Sequence, residues 1–259
     1  MKGVLTRTIS GFIIVLLTIF ITARGGTLIS YFTFLLSIIG IREFYNAMKG
    51  TKVEPIKIIG YISCIGFLFN SLGYSWVSLM SIVFFSIISL LIVLIFKNGT
   101  TLTDIAITFL GIFYIPFLIQ HIIYLEGTIY IWLVFITAWG TDTFAYISGN
   151  LFGKTKLCPK LSPNKTVEGS VGGILGTALL TLIFAKYFEL FPLWNFVLLS
   201  FLGSIVAQLG DLTASKIKRI TGIKDFGFIM PGHGGILDRF DSILFTAPFV
   251  YYFVNYFIL

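Results

Sequence analysis

The 27 residues from Ser215 to Asp241, here called the C-terminal polar segment, hold five Lys or Arg, three Asp and one His. Asp238 and Asp241 stand three residues apart at the start of an apolar stretch, so their carboxylates share one side of a helix while Arg239 points elsewhere. Just before them, the turn Pro231-Gly-His-Gly-Gly235 exposes backbone amides at a helix start, where anions are favoured. These residue types and spacings predict a site that binds phosphate and a metal ion.

More acids and cations precede this turn. Helical periodicity places four polar residues on one face of a helix: Asp211, Ser215, Lys218 and Arg219. Asp142 lies inside an apolar stretch, where an ionised carboxylate costs about 2.5–3.5 kcal/mol, so it should face protein or an aqueous cavity. Several carboxylates beside a basic surface suit Mg²⁺, which prefers oxygen ligands and shares them with phosphates. The alternative is a set of interhelical ion pairs, but five Asp near one membrane boundary, Asp225 included, favour the metal.

A second polar stretch, residues 148–169, is predicted to be a loop rich in glycine and lysine. Its Gly149–Thr155 run is not a phosphate loop, because three residues instead of four separate the two glycines and a membrane helix precedes it. Lys154 and Lys165 are still able to hold phosphate, although membrane anchoring explains such lysines equally well. His233 stays open as metal ligand, acid/base group or hydrogen-bonding group, and without a second His nearby zinc is not expected.

The elements that position these residues are membrane helices. The chain is 57% apolar and 17% aromatic, with 11% charged residues, and its mean hydropathy is +0.98, outside the range of a soluble domain. We predict an all-α, polytopic integral membrane helix bundle with a cytoplasm-facing polar cavity in its C-terminal half. About nine spans of suitable length can be read: Ile9–Ala23, Thr27–Ile41, Ile56–Phe69, Ser75–Phe96, Leu102–Leu125, Ile129–Ile147, Ser170–Phe188, Leu193–Leu212 and Phe240–Ile258.

The distribution of positive charge predicts the orientation. With a cytoplasmic amino terminus, nine spans leave 16 of the 18 Lys and Arg inside and only Arg24 and Lys186 outside. The net charge of +7 therefore reflects loops that face anionic lipid and indicates no nucleic-acid partner.

Cys64 and Cys158 indicate no disulfide framework. Residues 1–125 are predicted to be a scaffold, residues 126–259 the catalytic domain, and the glycines between Gly169 and Gly176 helix-packing positions.

The C-terminal polar segment resembles the pattern of CDP-diacylglycerol synthases, also called phosphatidate cytidylyltransferases. The shared pattern runs Ser-x-apolar-Lys-Arg, then Lys-Asp-x-Gly, then Pro-x-His-Gly-Gly-apolar-x-Asp-Arg-apolar-Asp. The stretch Ser162-Pro-x-Lys165-Thr-x-Glu-Gly169, the block around Asp142 and the pair Gly210-Asp211 are also similar, whereas the first half matches only as hydrophobic spans. Ala214 and Phe226 stand where the family often has Glu and Ser, and Met230 is a mild apolar exchange.

This resemblance implies an enzyme that transfers CMP from CTP to phosphatidate in the cytoplasmic membrane, dependent on Mg²⁺, with a second cation and a homodimer left open. With this resemblance we assign Asp211 and Asp238 as principal metal ligands, with Asp142 and Asp241 supporting the metal site. The expected catalytic residues are Asp211, Asp238, Asp241, Lys218, Arg219 and His233. The expected phosphate-binding residues are Lys154, Ser162, Lys165, Lys224, Arg239, Gly234 and Gly235.

Two alternatives remain. A cytidylyltransferase acting on another lipid phosphate would show the same pattern, because the lipid groove is simply apolar. A proton- or cation-coupled transporter would use Asp142 and Asp211 as carriers. Transporters commonly contain paired repeats with broken helices in both halves, whereas the polar chemistry here is confined to one half.

Overall fold

The computed structural model describes residues 2–229 and 234–259, with side chains from residue 11 onward, and this part of the chain is mostly α-helical. Its nine α-helices are α1 (Lys2–Arg24), α2 (Thr27–Ala47), α3 (Lys57–Ser71), α4 (Leu79–Phe96), α5 (Leu102–Ile112), α6 (Ile131–Phe152), α7 (Val167–Tyr187), α8 (Leu193–Thr221) and α9 (Leu237–Phe257). Each lies on a predicted span, so the all-α membrane bundle is confirmed.

Five described segments are long and apolar enough to cross a membrane: Thr27–Gly50, Leu79–Phe96, Leu102–Leu125, Val167–Tyr187 and Leu193–Thr221. Two further apolar helices, Gly11–Arg24 and Lys57–Ser71, are shorter. Helices α6 and α9 fall outside both groups because acids and other polar residues lower their hydropathy. Two of the helices that carry predicted site residues, α6 with Asp142 and α9 with Asp238 and Asp241, are thus outside these groups, whereas α8 with Asp211 is within the first.

Several helices extend beyond their predicted ends. Helix α6 continues to Phe152 and α8 continues to Thr221, past the predicted Ile147 and Leu212. The apolar stretch marks the part of a helix that lies in hydrocarbon, but the helix itself continues until a stop signal. For α8 this signal is Gly222, whose φ of +71° suits the left-handed conformation that ends helices. The extension keeps Lys218 and Arg219 on the same rigid helix as Asp211.

The fifth predicted span is present but is not one continuous α-helix. Helix α5 ends at Ile112, a π-helical turn covers Phe113–Phe117, and a 3₁₀ turn covers Gln120–Leu125. Pro116 lies inside the π turn. A proline removes one backbone donor and its ring clashes with the preceding turn, which explains the irregularity.

The first of two compact units contains the described residues up to Glu126 together with Ile220–Phe240. Helix α2 packs against α1, α3 and α5 in this unit. The ring of Tyr45 is fully buried there, and its hydroxyl donates to the carbonyl of Thr108 at 2.8 Å. Gly60 and Gly111 make room for this ring, because a Cβ at either would collide with it. Much of the C-terminal polar segment therefore belongs to the unit built on the amino-terminal helices.

The second unit contains Gly127–Arg219 and Asp241–Leu259. Helices α6 and α7 pack extensively against each other in this unit. A Cβ at Gly172 would collide with Ser148, and one at Gly176 would collide with Phe144, so the predicted packing role of these glycines is confirmed.

The predicted loop before α7 contains an antiparallel hairpin that the sequence did not reveal. Its strands are β1 (Lys156–Cys158) and β2 (Ser162–Thr166), with Lys156 opposite Thr166 and Cys158 opposite Ser162. At its end the Thr166 hydroxyl accepts a hydrogen bond from the amide of Gly169 at 3.1 Å and caps α7. The hairpin therefore holds Lys165 directly before a helix start.

Candidate active site

In the second unit, Lys165 is the centre of a cluster of charges. Its ammonium forms an ion pair with the Asp211 carboxylate, and both side chains are partly buried. The cluster also contains Asp142, Asp241 and Lys218, whose charges act on Lys165. Four elements, α6, β2, α8 and α9, thus bring together three acids and two cations that are far apart in sequence.

Ser242 joins two of these acids. Its hydroxyl donates to Asp142 at 3.2 Å, and its backbone amide donates to Asp241 at 2.8 Å. Asp241 is only 7% exposed, so its charge needs compensation from within the protein. The positive charges of Lys165 and Lys218 act in that direction, against burial and the negative charge of Asp142.

Burial lowers the pKa of the Lys165 ammonium, while the charges of Asp142 and Asp241 act in the opposite direction. Burial removes part of the water around this ammonium, although its side chain stays partly exposed. A poorly solvated cation gains more from contact with an anion than a fully hydrated one does. Lys165 is therefore well suited to bind a phosphate group.

Backbone amides of the run Gly149–Thr155 bind a carboxylate of the protein itself. The amides of Lys154 and Thr155 donate to the Glu168 carboxylate at 3.1 Å. An acidic side chain of the protein therefore occupies the place that a phosphate would take in a true phosphate loop, in agreement with the exclusion based on spacing. The side chain of Lys154 is exposed, and Ser162 is half-buried in β2.

Arg219 joins the end of α8 to the hairpin, because its Nε donates to the carbonyl of Leu161 at 3.3 Å. Lys218 is half-buried, whereas Arg219 is exposed. Of the two predicted catalytic cations on α8, Lys218 therefore belongs to the charge cluster and Arg219 supports the hairpin beside it.

In the first unit, Asp238 organises the C-terminal polar segment. Its Oδ2 accepts hydrogen bonds from the amide of Phe226 at 2.8 Å and the amide of Gly235 at 3.0 Å. Gly234 has a φ of +84°, and a Cβ there would meet Asp238 and Asp225. Asp238 is 7% exposed, like Asp241. Its described contacts lie in the first unit, and those of Asp241 lie in the second.

Three further predicted site residues are Lys224, His233 and Arg239. Lys224 and Arg239 are exposed. His233 lies outside the described residues, so its predicted role stays a prediction. The exchange at Phe226 does not disturb the contact with Asp238, because the backbone amide makes it.

Among the residues that the structure describes, neither unit gathers three His, Cys, Asp or Glu side chains closely enough to enclose a metal ion. The pair Asp142 and Asp241 nevertheless fits Mg²⁺ by its chemistry. This ion is usually bound through one or two carboxylates and completes its octahedron with water and substrate phosphates. Asp211 is held by Lys165 in this structure.

Two residues of the site were not predicted. Ser242 has no distinctive sequence signal, since it is one serine in an apolar helix. Glu43 does have one, because it is an acid at the end of an apolar span. Both of its carboxylate oxygens bind backbone amides at the start of α9.

A model of the cytidylyltransferase family matches residues 5–257. Proteins named phosphatidate cytidylyltransferase from Staphylococcus saprophyticus, Staphylococcus haemolyticus and Staphylococcus aureus strain COL are 38%, 37% and 34% identical to this chain over 251 residues. Each alignment covers 93% of this chain and 95% of the relative. The resemblance to CDP-diacylglycerol synthases is thereby confirmed, and the chain belongs to the cytidylyltransferase family.

Proposed function

We propose that this protein transfers CMP from CTP to phosphatidate, which yields CDP-diacylglycerol and pyrophosphate, at the cytoplasmic side of the membrane. Family membership and the names of the relatives support the reaction. The structural observation that carries the proposal is the cluster of Lys165 and Lys218 with Asp142, Asp211 and Asp241 in a membrane protein.

The chemistry requires little proton transfer. The nucleophile is a phosphate monoester with a second pKa of about 6, so it is largely ionised at neutral pH. One of its oxygens attacks the α-phosphorus of CTP, and the bond from that phosphorus to the bridging oxygen breaks to release pyrophosphate. Because no hydroxyl has to lose a proton, the enzyme needs no strong general base.

The main barrier is repulsion between two anions. Preorganised cations in a site of low dielectric stabilise the charge on the attacked phosphorus and its leaving group. Lys165 and Lys218 are the described cations best placed for this role, since both interact with the acids of the cluster. A bound substrate phosphate would replace a carboxylate as the partner of Lys165.

We assign Mg²⁺ as the cofactor, held by Asp142 and Asp241 with Asp211 as a further candidate. When bound, the ion would neutralise phosphate oxygens and orient the pyrophosphate leaving group. Asp238, the other principal ligand predicted from sequence, holds the polar loop through one of its oxygens. Separate substitutions of these acids will distinguish a ligand from a residue that fixes the loop.

The membrane location suits both substrates. CTP is water-soluble, whereas phosphatidate keeps its acyl chains in lipid, so the reacting groups have to meet at a membrane surface. The excess of Lys and Arg on one predicted side of the spans supports the cytoplasmic surface.

The decisive experiment supplies purified protein in detergent with phosphatidate, Mg²⁺ and CTP labelled on either the α- or the γ-phosphate. We expect the α-label to enter the lipid extract and the γ-label to stay in water as pyrophosphate. If label enters the lipid only when a polyprenyl phosphate or an ether-lipid phosphate is supplied, that compound is the acceptor instead of phosphatidate. No labelled lipid with any acceptor would refute the proposed function.

Asp211→Asn and Asp238→Asn are expected to abolish CMP transfer while the protein stays folded and extractable. Each exchange removes a negative charge and keeps the side-chain size. Turnover should be measured over a Mg²⁺ titration, with the exposed Glu54→Gln as matched control. A lost ligand raises the Mg²⁺ requirement, whereas near-normal turnover of either Asn variant would remove that residue from the catalytic assignment.

A further inference from the structure

The carboxylate of Glu43 binds the start of a distant helix. Its Oε1 accepts a hydrogen bond from the amide of Ile236 at 3.1 Å, and its Oε2 accepts one from the amide of Leu237 at 2.9 Å. Helix α9 begins at Leu237, and the first amides of a helix lack partners within it. A side chain 193 residues earlier in the sequence therefore provides the cap that a local residue normally provides.

The surrounding backbone is shaped to this carboxylate. A Cβ at Gly227 or at Gly235 would collide with the Glu43 carboxylate, so both positions allow the loop to approach it closely. Glu43 is 5% exposed, on a helix fixed by the buried neighbours Phe44 and Tyr45. The carboxylate is thus a rigid support, not a mobile surface group.

Glu43 and Asp238 divide the amides of the loop between them. Glu43 accepts from Ile236 and Leu237, and Asp238 accepts from Phe226 and Gly235. The two carboxylates repel each other when both are ionised. The positive charge of Arg42 lowers the electrostatic free-energy cost of ionising Glu43. The protein tolerates this repulsion because four loop amides are bound in return.

We propose that Glu43 is a positioning residue for the reaction: through the amides of Ile236 and Leu237 it fixes the first turn of α9, and with it Asp238. This inference rests on the proposed function for its catalytic consequence only. It gives the amino-terminal helices a role in the chemistry, although they carry no residue of the predicted site.

The test uses Glu43→Gln, which keeps the size of the side chain but replaces one acceptor oxygen with a donor. One of the two amides then loses its acceptor. We expect kcat for CMP transfer to fall about 10- to 100-fold, as for other residues that orient catalytic groups, while KM for CTP changes less. Glu54→Gln is the matched control, because Glu54 is an exposed acid of the same unit.

A second readout does not depend on activity. Lys224 is exposed and lies in the loop that Glu43 holds, so trypsin cleavage after it reports release of the loop. Cleavage should be faster in Glu43→Gln than in the wild type or in Glu54→Gln, while gel filtration in detergent shows the same monodisperse peak. The variant Glu43→Asp keeps the charge with a shorter reach and should give intermediate values in both assays.

Two outcomes overturn the inference: wild-type turnover in Glu43→Gln, or unchanged cleavage after Lys224. If the wild type makes no nucleotide-bearing lipid, the proposed function fails, and the cleavage assay alone decides whether Glu43 holds the loop. If Glu43→Gln does not fold, the cleavage assay on Glu43→Asp decides it.

Discussion

At the scale of single residues, the charge cluster of the second unit depends on Lys165. This lysine pairs with Asp211 and offsets the charges of Asp142 and Asp241. Without it, three acids would share one remaining cation of the cluster, Lys218. The same ammonium is the group we assign to a substrate phosphate, so its loss affects both the free site and the bound state.

Lys165→Met is therefore expected to reduce CMP transfer by about 10²- to 10³-fold, as the loss of a preorganised electrostatic contact does. The measurement is kcat/KM for CTP with phosphatidate in mixed micelles. Lys156→Met is the control, since Lys156 is an exposed lysine of the same hairpin. Equal effects of the two exchanges would show that Lys165 contributes only general positive charge.

At the scale of elements, α6 and α7 pack through small residues. Gly172 and Gly176 lie against Ser148 and Phe144, on the helix that also carries Asp142. Close approach of helices in lipid relies on such residues because hydrophobic burial adds little there. Packing of this helix pair thus helps to fix the position of an acid of the proposed site.

Gly176→Val should lower stability by about 1–3 kcal/mol, the usual cost of added volume in a packed interface. Leu175→Val is the matched control, because Leu175 is an exposed residue of the same helix. The midpoint of thermal unfolding in detergent measures the difference. If the midpoint of thermal unfolding is the same in Gly176→Val as in the wild type, close packing of α6 against α7 does not contribute to stability.

How far the sequence predicts such elements depends on the range of the interaction. Hydrophobic stretches and glycine spacing are local, and they predicted the helices and the packing role of the α7 glycines, but not that α6 is the helix they contact. The hairpin of β1 and β2 escaped prediction because its short strands lack an apolar alternation. The Glu43 cap was also missed, since no local pattern connects residue 43 with residues 236 and 237.

At the scale of the whole molecule, the asymmetry of positive charge predicts the orientation of the chain in the membrane. Only Arg24 and Lys186 fall on the predicted outer side. This prediction places the hairpin, with Cys158 in β1, on the cytoplasmic side. Cys158 is partly exposed, whereas Cys64 is fully buried, so the native chain carries one reporter of orientation and one internal control.

A membrane-impermeant maleimide is expected to label the protein in inside-out vesicles and to leave it unlabelled in right-side-out vesicles. Cys158→Ser should abolish the labelling, because Cys64 is shielded by the protein. Mass spectrometry of the labelled peptide provides the measurement. Labelling of Cys158 in right-side-out vesicles would reverse the proposed orientation.

The modest hydropathy of α6 and α9 has a consequence for biosynthesis. Each of these helices carries an acid of the proposed site and falls below the apolarity of the five segments able to cross a membrane. A ribosome-bound translocon releases a segment into lipid according to that segment's own apolarity. We therefore expect α6 to depend for its insertion on α7, the neighbouring helix that it packs against.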